Sequence, residues 1–420
     1  METLKKLIVG CDLCNDFTQI SCYSYKTLEP IPICIREGEE YRPIPTVLCV
    51  KKETKQWLFG EEAIACAQNG EGILIDDLLT KLHSEEDVEI FQQPFSGVAL
   101  LEKFLRKALI LIKNYFPTEI ITKLVVTTDT SNPQVVEKIY EALSQLGLEK
   151  DRVEVMSHAG AYLYYALCQE KSLWVNDVGL FDFKQEGMNF YQIKVNRRTQ
   201  PMTAGLYRTD FSEIINWDML KTRKDQVPYA FQTITNTALY KQIISTLYFT
   251  GTGFEGGWAD DIIKSLSIGR RAFYGQNLFT KGACYAAKEQ SGDQQLKDFL
   301  LLNDDMITSS IGLRVFSDTR LKEVLFTEAG ATWYLVNESI EVIPEGTPEL
   351  EIIIKNIMTK DVVREKVILN ELPKRPDRMT RLKITLTCKD KSIGIITVRD
   401  LGFGEIYPET GIIMEFEIEI

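Results

Sequence analysis

Short hydrophobic runs alternate with helix-spaced apolar residues along the first part of the chain. Residues 7–9 run into a turn at Gly10 and predict a strand, and the alternation over residues 17–25 predicts the second arm of a hairpin. Residues 124–128 predict a buried strand. Apolar residues at helical spacing predict one amphipathic helix; they are Val98, Leu101, Leu105, Ala108, Leu109, Ile112 and Tyr115. Strands alternating with helices indicate an α/β layer.

Local signals mark where one of these helices begins and ends. Asn132 is a good N-cap residue, and Pro133 suits the first helical position, where its missing N–H costs nothing. Gly147 stands where a helix C-terminus favours a residue with positive φ. A further strand at residues 153–156 and an Ala-rich helix at 159–167 are predicted to follow.

A second set of the same kind begins at residues 179–182, which are predicted to form a hairpin with 191–195. The polar stretch 210–235 predicts a small helical insertion. Residues 238–246 predict a helix that leads to a strand at 247–249.

The hydrophobic period changes to two from Ile311 onward, with Pro and Gly residues between the alternating segments. One face of each segment is apolar and the other polar, which is typical of strands that cover a core on one side. Residues 311–420 therefore predict an antiparallel β-sandwich. The preceding run, Leu300, Leu301 and Leu302, is apolar and is flanked by acidic residues. It predicts a docking strap, that is, a short interdomain linker that packs against a neighbouring domain.

Composition narrows the possible partners. The chain has 420 residues with 48 basic and 60 acidic side chains, a net charge of −12. Nucleic acid and anionic membrane surfaces need a positive footprint, so neither is expected as a partner. No apolar run reaches the roughly 18–20 residues of a membrane span, and no secretory signal is evident. We expect a cytoplasmic protein.

The cysteines and histidines give no strong catalytic signal. The nine cysteines show no disulfide-like spacing, which favours a reducing compartment. Cys11 and Cys14 have C-x-x-C spacing, but no second pair completes a zinc site, and small hydrophobic packing is the commoner role. For the chain's two histidines, His83 and His158, a solvated or capping role is expected.

The order of these parts resembles the seventy-kilodalton heat-shock chaperones, members of the actin and sugar-kinase superfamily. Residues 9–18 resemble the family's first phosphate loop, and 156–167 and 281–287 resemble its two connecting helices, whose small residues let the helices cross closely. Residues 298–303 are similar to the chaperone linker, and 393–402 to a closing strand of the peptide-binding sandwich. No counterpart of the family's C-terminal helical lid is expected.

The resemblance implies a nucleotide cleft for ATP or ADP with Mg2+. Asp12 and Asp182 would be the catalytic acids and would hold the metal through water. The residues expected to bind the nucleotide lie in three loops; they are Gly10, Asp12, Cys14, Asn15, Asp182, Gly187, Gly251, Thr252, Gly253 and Phe254. Phe254 would cover the base, or else, with Trp258, fill the core behind a tight turn.

The second phosphate loop departs from the family pattern. Lys184, Gln185 and Glu186 stand where the family has three glycines, so side chains obstruct the backbone approach that phosphate needs. Ser157 stands where the family has the glutamate that orients the attacking water. The expected activity is therefore at most that of a slow ATPase.

Together these observations predict a duplicated actin-like (ribonuclease-H-like) domain over residues 1–295, with halves of about 1–168 and 169–295. An apolar linker at 296–310 and the sandwich would follow. The function expected is chaperone-like, with nucleotide in the cleft and an extended peptide or protein client on the sandwich. A non-hydrolysing scaffold that keeps only the fold stays open as an alternative, and a small-molecule kinase is a third.

Overall fold

The predicted alternation of strands and helices is confirmed in the computed structural model, which describes residues 6–35, 42–84, 86–130, 132–292, 294–317, 319–346 and 348–420. Two compact units divide the chain. The first comprises residues 1–194 with 206–297, and the second comprises 195–205 with 298–420. The first unit is mixed α/β, and the second is built from strands.

The strands from residue 6 to residue 274 are numbered in chain order. They are β1 (Lys6–Leu13), β2 (Phe17–Ser24), β3 (Glu29–Pro32), β4 (Ile44–Pro45), β5 (Leu48–Lys51), β6 (Trp57–Phe59), β7 (Gly72–Ile75), β8 (Val88–Ile90), β9 (Gln93–Phe95), β10 (Ile120–Thr128), β11 (Val153–Ser157), β12 (Asp177–Lys184), β13 (Gly187–Asn196), β14 (Met202–Asp210), β15 (Ile244–Thr250) and β16 (Arg271–Tyr274).

The helices of the same region are numbered in the same way. They are α1 (Gly60–Gln68), α2 (Leu78–His83), α3 (Gly97–Ile110), α4 (Ile112–Tyr115), α5 (Pro133–Ser144), α6 (His158–Leu167), α7 (Trp217–Thr222), α8 (Val227–Ala238), α9 (Asp260–Leu266) and α10 (Leu278–Gln290).

The first unit is built around two larger sheets. In the first, β1 pairs antiparallel with β2 and parallel with β10, and β10 pairs parallel with β11. In the second, β12 pairs antiparallel with β13 and parallel with β15, and β15 pairs parallel with β16. The two predicted hairpins are therefore both present, and each lies beside two parallel strands.

The predicted helix ends are confirmed at α5. Asn132 accepts a hydrogen bond from the Gln134 N–H at 2.9 Å, Pro133 is the first helical residue, and Gly147 has a φ of +76°. Ser157 caps α6 in the same way, since its hydroxyl accepts from the Gly160 N–H at 3.2 Å. These caps satisfy backbone donors that the first turn leaves free.

Helices α6 and α10 cross closely, as the small residues in them predicted. A Cβ atom at Gly282 would overlap the carbonyl oxygen of Ala161, and one at Gly10 in β1 would overlap the backbone of α10. The two helices therefore approach each other and the first sheet through residues that lack or nearly lack a side chain.

One helix prediction is wrong. Residues 238–246 do not form a helix, because α8 ends at Ala238 and β15 begins at Ile244. Lys241 between them has a φ of +56°, a left-handed conformation that a helix interior does not accept. The β-branched residues that follow then favour the strand.

The strands of the second unit continue the numbering. They are β17 (Phe299–Leu302), β18 (Ser309–Ser317), β19 (Arg320–Thr327), β20 (Asn337–Val342), β21 (Glu349–Asn356), β22 (Val362–Ile368), β23 (Leu382–Cys388), β24 (Ile393–Asp400) and β25 (Ile413–Glu419).

Two four-stranded antiparallel sheets make up most of the second unit, in the orders β19-β18-β21-β22 and β20-β23-β24-β25. Ile311 and Ile352 from one sheet share a hydrophobic core with Ile384 and Ile396 from the other. This is the packing of a β-sandwich, and it follows the alternation seen in the sequence.

The apolar strap at residues 300–302 is part of β17, which pairs in parallel with residues 202–205 of β14 inside the second unit. Leu302 is buried, while Leu300 and Leu301 are partly buried. Within the described residues, no helix is both long and apolar enough to cross a membrane.

Candidate functional site

Strand ends bring several polar side chains of the first unit to one edge. Asp12 lies near the end of β1 and is paired in register with Thr127 of β10, while Thr128 is paired with Ser157 of β11. His158 follows directly as the first residue of α6. Ligand sites commonly lie at the carboxyl ends of parallel strands, so this edge is the natural place for a site.

His158 is the centre of the cluster. It is 4% exposed, and its Nε2 atom lies 2.7 Å from Oδ1 of Asp12 and 3.6 Å from Sγ of Cys14. The ring stacks on Phe279 with 4.0 Å between centroids and 4° between planes. The expectation of a solvated or capping role is therefore wrong for His158, because tertiary contacts bury the ring, whereas His83 is exposed as expected.

Lys184 reaches the same cluster from the second sheet. Its Nζ atom lies 2.8 Å from Nδ1 of His158 and 3.7 Å from Oδ2 of Asp182, and 5.0 Å from the centre of the Phe279 ring. An ammonium group has donors and no acceptor, so Nδ1 must accept and Nε2 must carry the imidazole proton. Nε2–H then donates to the Asp12 carboxylate.

The electrostatics agree with this assignment. Burial alone would raise the pKa of Asp12, but the interaction with His158, together with the positive charge of Lys184, outweighs burial and lowers the pKa. Burial alone would lower the pKa of Lys184, but the carboxylates of Asp182 and Asp12 have the larger effect, so the pKa is raised above its usual value. Burial raises the pKa of Asp182 despite Lys184. Lys184 is therefore a fixed cation at this site.

Cys14 does not form a nucleophilic triad with these residues. A cysteine nucleophile needs a histidine whose near nitrogen is free to accept its proton, and here Nε2 is committed to Asp12. Burial and the negative charge of Asp12 also raise the pKa of the Cys14 thiol well above its usual value. The thiol remains protonated, so covalent catalysis through Cys14 is not supported.

A cavity of about 340 Å³ opens beside this cluster. The residues predicted to bind nucleotide that line it are Asp12, Cys14, Asn15, Gly251 and Thr252. Asn15 is held in place because its Oδ1 atom accepts from the Leu79 N–H at 2.9 Å. The structure thus brings together the first loop and the loop after β15.

Other predicted site residues have packing positions instead. Gly10 lies within β1 against α10, and a Cβ at Gly187 would overlap Ser212. Gly253 is pressed against the ring of Phe183. Phe254 is 4% exposed and stacks on Trp258 at 5.7 Å, which is the core alternative that the sequence left open.

The residues present do not fit a magnesium triphosphate. The cavity is lined by five carboxylate side chains and one ammonium; these are Asp12, Asp16, Asp129, Glu186, Glu255 and Lys184. Gln185 and Glu186 form a tight two-residue turn between β12 and β13, without glycine N–H groups to cradle phosphate. Such a lining repels polyphosphate, and Lys184 has its ammonium beside Asp182, one of the two expected metal-holding acids.

The sequence did not predict that His158 is part of the site, nor that the Lys184 side chain points toward it. The available signal for His158 was its place one residue after a parallel strand, where the carboxyl ends of β1 and β10 also meet. Nothing in the local sequence gave the direction of Lys184, because it depends on how the β12–β13 hairpin is aimed.

Comparison with known families gives two matches. Residues 29–304 match the family model described as the C-terminal part of a family of unknown function, DUF5716. Residues 306–420 match a domain of unknown function, DUF8552. No curated protein matches the chain. The boundary between the matches lies close to the start of the sandwich strands.

Proposed function

The chain belongs to the family of unknown function DUF5716, and we propose that it is a non-hydrolysing relative of the actin-like ATPases that acts as a protein-interaction scaffold. The first unit would supply a rigid body whose nucleotide cleft contains the Lys184 ammonium and is lined by carboxylates. The sandwich of the second unit would bind an extended segment of a client. Free thiols at all nine cysteines suit a reducing, cytoplasmic setting.

The actin-like part of the proposal is supported by the repeated strand order. The order β11-β10-β1-β2 in one sheet corresponds to β16-β15-β12-β13 in the other, with the same parallel and antiparallel neighbours. Asp12 and Asp182 occupy matching places, in the first strand of each hairpin. Duplicated halves of this kind are what the sequence resemblance implied.

The observation that carries the non-hydrolysing proposal is the position of the Lys184 ammonium. It lies between His158 and Asp182, where a family ATPase would need room for a hydrated cation and an approaching phosphate. Phosphoryl transfer depends on positioning and on neutralising developing charge. The Lys184 ammonium, held in this cluster, supplies beside Asp182 the positive charge that a bound cation would otherwise supply.

We expect no nucleotide effect in the natural chain. Millimolar ATP with Mg2+ should leave the melting temperature unchanged. A ligand that binds the folded chain and is present at 100 times its Kd would instead add about 2.7 kcal/mol to the free energy of unfolding and raise the melting temperature. Replacing Lys184, Gln185 and Glu186 together with glycine should create a magnesium-dependent shift. Differential scanning fluorimetry and phosphate release measure both properties.

Asp12→Ala in the triple-glycine background is the matched control, since it should remove the gained magnesium dependence. Turnover by the natural chain at ~1 per second or faster would contradict the proposal. A melting shift without turnover would favour a second candidate, a chain that binds nucleotide but does not hydrolyse it. The open cavity lined by Gly251 and Thr252 is the observation in favour of that candidate.

The proposed client site is the edge strand β22. It ends one sheet of the sandwich, and its Val362, Val363 and Ile368 side chains are more than half exposed. Although Arg364, Glu365 and Lys366 make the middle of β22 polar, exposed edge strands accept further strands through backbone hydrogen bonds. An extended peptide would thereby add a strand to this sheet.

Val363→Lys should weaken binding of a labelled apolar heptapeptide by about tenfold, or about 1.4 kcal/mol, because a charge at the edge opposes strand addition. Ile406→Lys, at an 82% exposed position outside the strands, is the control and should bind normally. Fluorescence anisotropy measures the affinity. Equal loss in both variants would point to a general surface effect and contradict the edge-strand site.

A further inference from the structure

Three side chains in the cleft form a ligand set that the scaffold proposal does not use. Asp12 Oδ1, Cys14 Sγ and His158 Nε2 all lie within 4.8 Å of one another. Oxygen, sulfur and nitrogen donors together suit a borderline-soft ion such as Zn2+ and not Mg2+, which prefers oxygen alone.

The distances are close to those that a tetrahedral ion requires. For a tetrahedral ion, zinc bond lengths imply a separation of about 3.6 Å between the sulfur and either the nitrogen or the oxygen ligand atom. The nitrogen and oxygen ligand atoms would lie about 3.4 Å apart. Cys14 Sγ lies 3.6 Å from His158 Nε2 and 3.5 Å from Asp12 Oδ1. Only the 2.7 Å hydrogen bond between Nε2 and Oδ1 must open, by about 0.7 Å, when a metal replaces its proton.

From this geometry we propose that Asp12, Cys14 and His158 form a binding site for a divalent transition ion of the Zn2+ class. The proposal goes beyond the scaffold function and does not depend on it. Because Asp12 and Cys14 line the cavity, solvent can supply the fourth ligand. Three protein ligands with one open position is a common zinc arrangement.

The surrounding residues support the ring of His158 in a ligating position. Phe279 stacks on it with nearly parallel planes. The ring nitrogen remote from the metal normally donates to a neighbour, but here Nδ1 faces the Lys184 ammonium. Lys184 therefore competes with the metal, through its hydrogen bond and through its charge.

Asp182 offers Lys184 an alternative partner. Its Oδ1 atom is buried and has no hydrogen-bond partner among the residues that the structure describes, and its Oδ2 atom already lies 3.7 Å from Nζ. On metal binding, the Cys14 thiol proton leaves to solvent, and the imidazole proton moves from Nε2 to Nδ1 by exchange with water. Lys184 keeps its charge and turns to Asp182.

Cobalt titration of an untagged chain tests the site, since Co2+ replaces Zn2+ and shows a thiolate charge-transfer band in the near ultraviolet. The natural chain should bind one equivalent and show the band. Cys14→Ser should abolish it. Cys11→Ser is the matched control and should retain it, because Cys11 is outside the cluster. Zn2+ should displace Co2+ and Mg2+ should not.

Lys184→Met should bind Co2+ at least about tenfold more tightly than the natural chain, because the ammonium that competes with the metal is removed. Residues that contact metal ligands commonly change metal affinity by about this factor. Unchanged affinity in that variant would overturn the role given to Lys184. No band at millimolar Co2+ in the natural chain, or a band that survives Cys14→Ser, would overturn the site. Circular dichroism checks that each variant is folded.

A readout without substitution comes from the chain's two histidines. In 15N NMR spectra of the imidazole groups, His158 should show the Nε2–H tautomer without metal and the Nδ1–H tautomer with one equivalent of Zn2+. His83 should not change and serves as the internal control. Persistence of the Nε2–H form of His158 at saturating Zn2+ would overturn the assignment.

Discussion

Replacing Arg375 with alanine is expected to lower the free energy of unfolding of the second unit by about 3–5 kcal/mol, because it leaves a buried charge without its partner. Arg375 Nη1 and Nη2 lie 2.7 and 2.8 Å from the two oxygens of Asp400, whose side chain is fully buried. Asp400 also accepts bonds from the Thr410 hydroxyl and the Gly402 N–H. Arg375 donates to the Pro408 carbonyl as well.

The control for this prediction is an exposed pair in the same unit. Lys389 and Glu417 lie 3.2 Å apart with both side chains more than half exposed, and Lys389→Ala should change stability by no more than about 0.5 kcal/mol. Urea unfolding followed by hydrogen exchange in peptides from residues 382–400 isolates the second unit. Equal losses in the two variants would contradict a special role for the buried pair.

The same pair predicts a pH dependence. Burial alone would raise the pKa of Asp400, but Arg375 and the bonds from Thr410 and Gly402 hold it well below its usual value. A depressed folded-state pKa adds stability above the unfolded value of about 3.9. That contribution is lost as the pH falls from about 4 through the folded pKa. The gap between the natural chain and Asp400→Asn should therefore narrow in acid.

Gly282→Ala is expected to destabilise the first unit by about 3 kcal/mol, although alanine normally favours a helix over glycine by about 1 kcal/mol. The added Cβ would overlap the carbonyl oxygen of Ala161, and backbone cannot move aside as a flexible side chain can. Helices α6 and α10 would have to separate. Calorimetry of the purified variant measures the loss.

Gly275→Ala is the matched control for the helix crossing. A Cβ there would have no atom of the described residues within 4 Å, so the change in the free energy of unfolding should stay within about 0.5 kcal/mol. A Gly282→Ala variant as stable as the natural chain would show that the two helices do not approach as closely as described. A loss of equal size at Gly275 would contradict a crossing-specific cause.

Much of the architecture could be predicted from local patterns. Spacing distinguished the α/β part from the sandwich, and Asn132, Pro133 and Gly147 marked a helix because capping depends on neighbouring residues alone. The small residues of α6 and α10 also predicted a close crossing. The helix proposed at 238–246 failed because the left-handed turn at Lys241 has no local signal.

The candidate site was predictable in part. Asp12, Cys14 and Thr252 were expected near one another, and all three line the cavity. A different role was expected for His158 from the sequence, and for Phe254 the structure decided between two alternatives that the sequence left open, because burial of a ring depends on which elements pack over it. His158 is covered by Phe279, which lies in another helix more than 100 residues away.

The sequence by itself determined the types of elements, many of their ends and the alternation that makes the second unit a sandwich, since these follow from periods of two and 3.6. Only the tertiary structure decided where charges end up. Lys184 contacts His158 and Asp182 because of the orientation of the β12–β13 hairpin. Arg375 pairs with Asp400, 25 residues along the chain, because of the path of the loop that contains Arg375. Whether a charged residue is solvated, paired or poised beside a metal site depends on that long-range geometry.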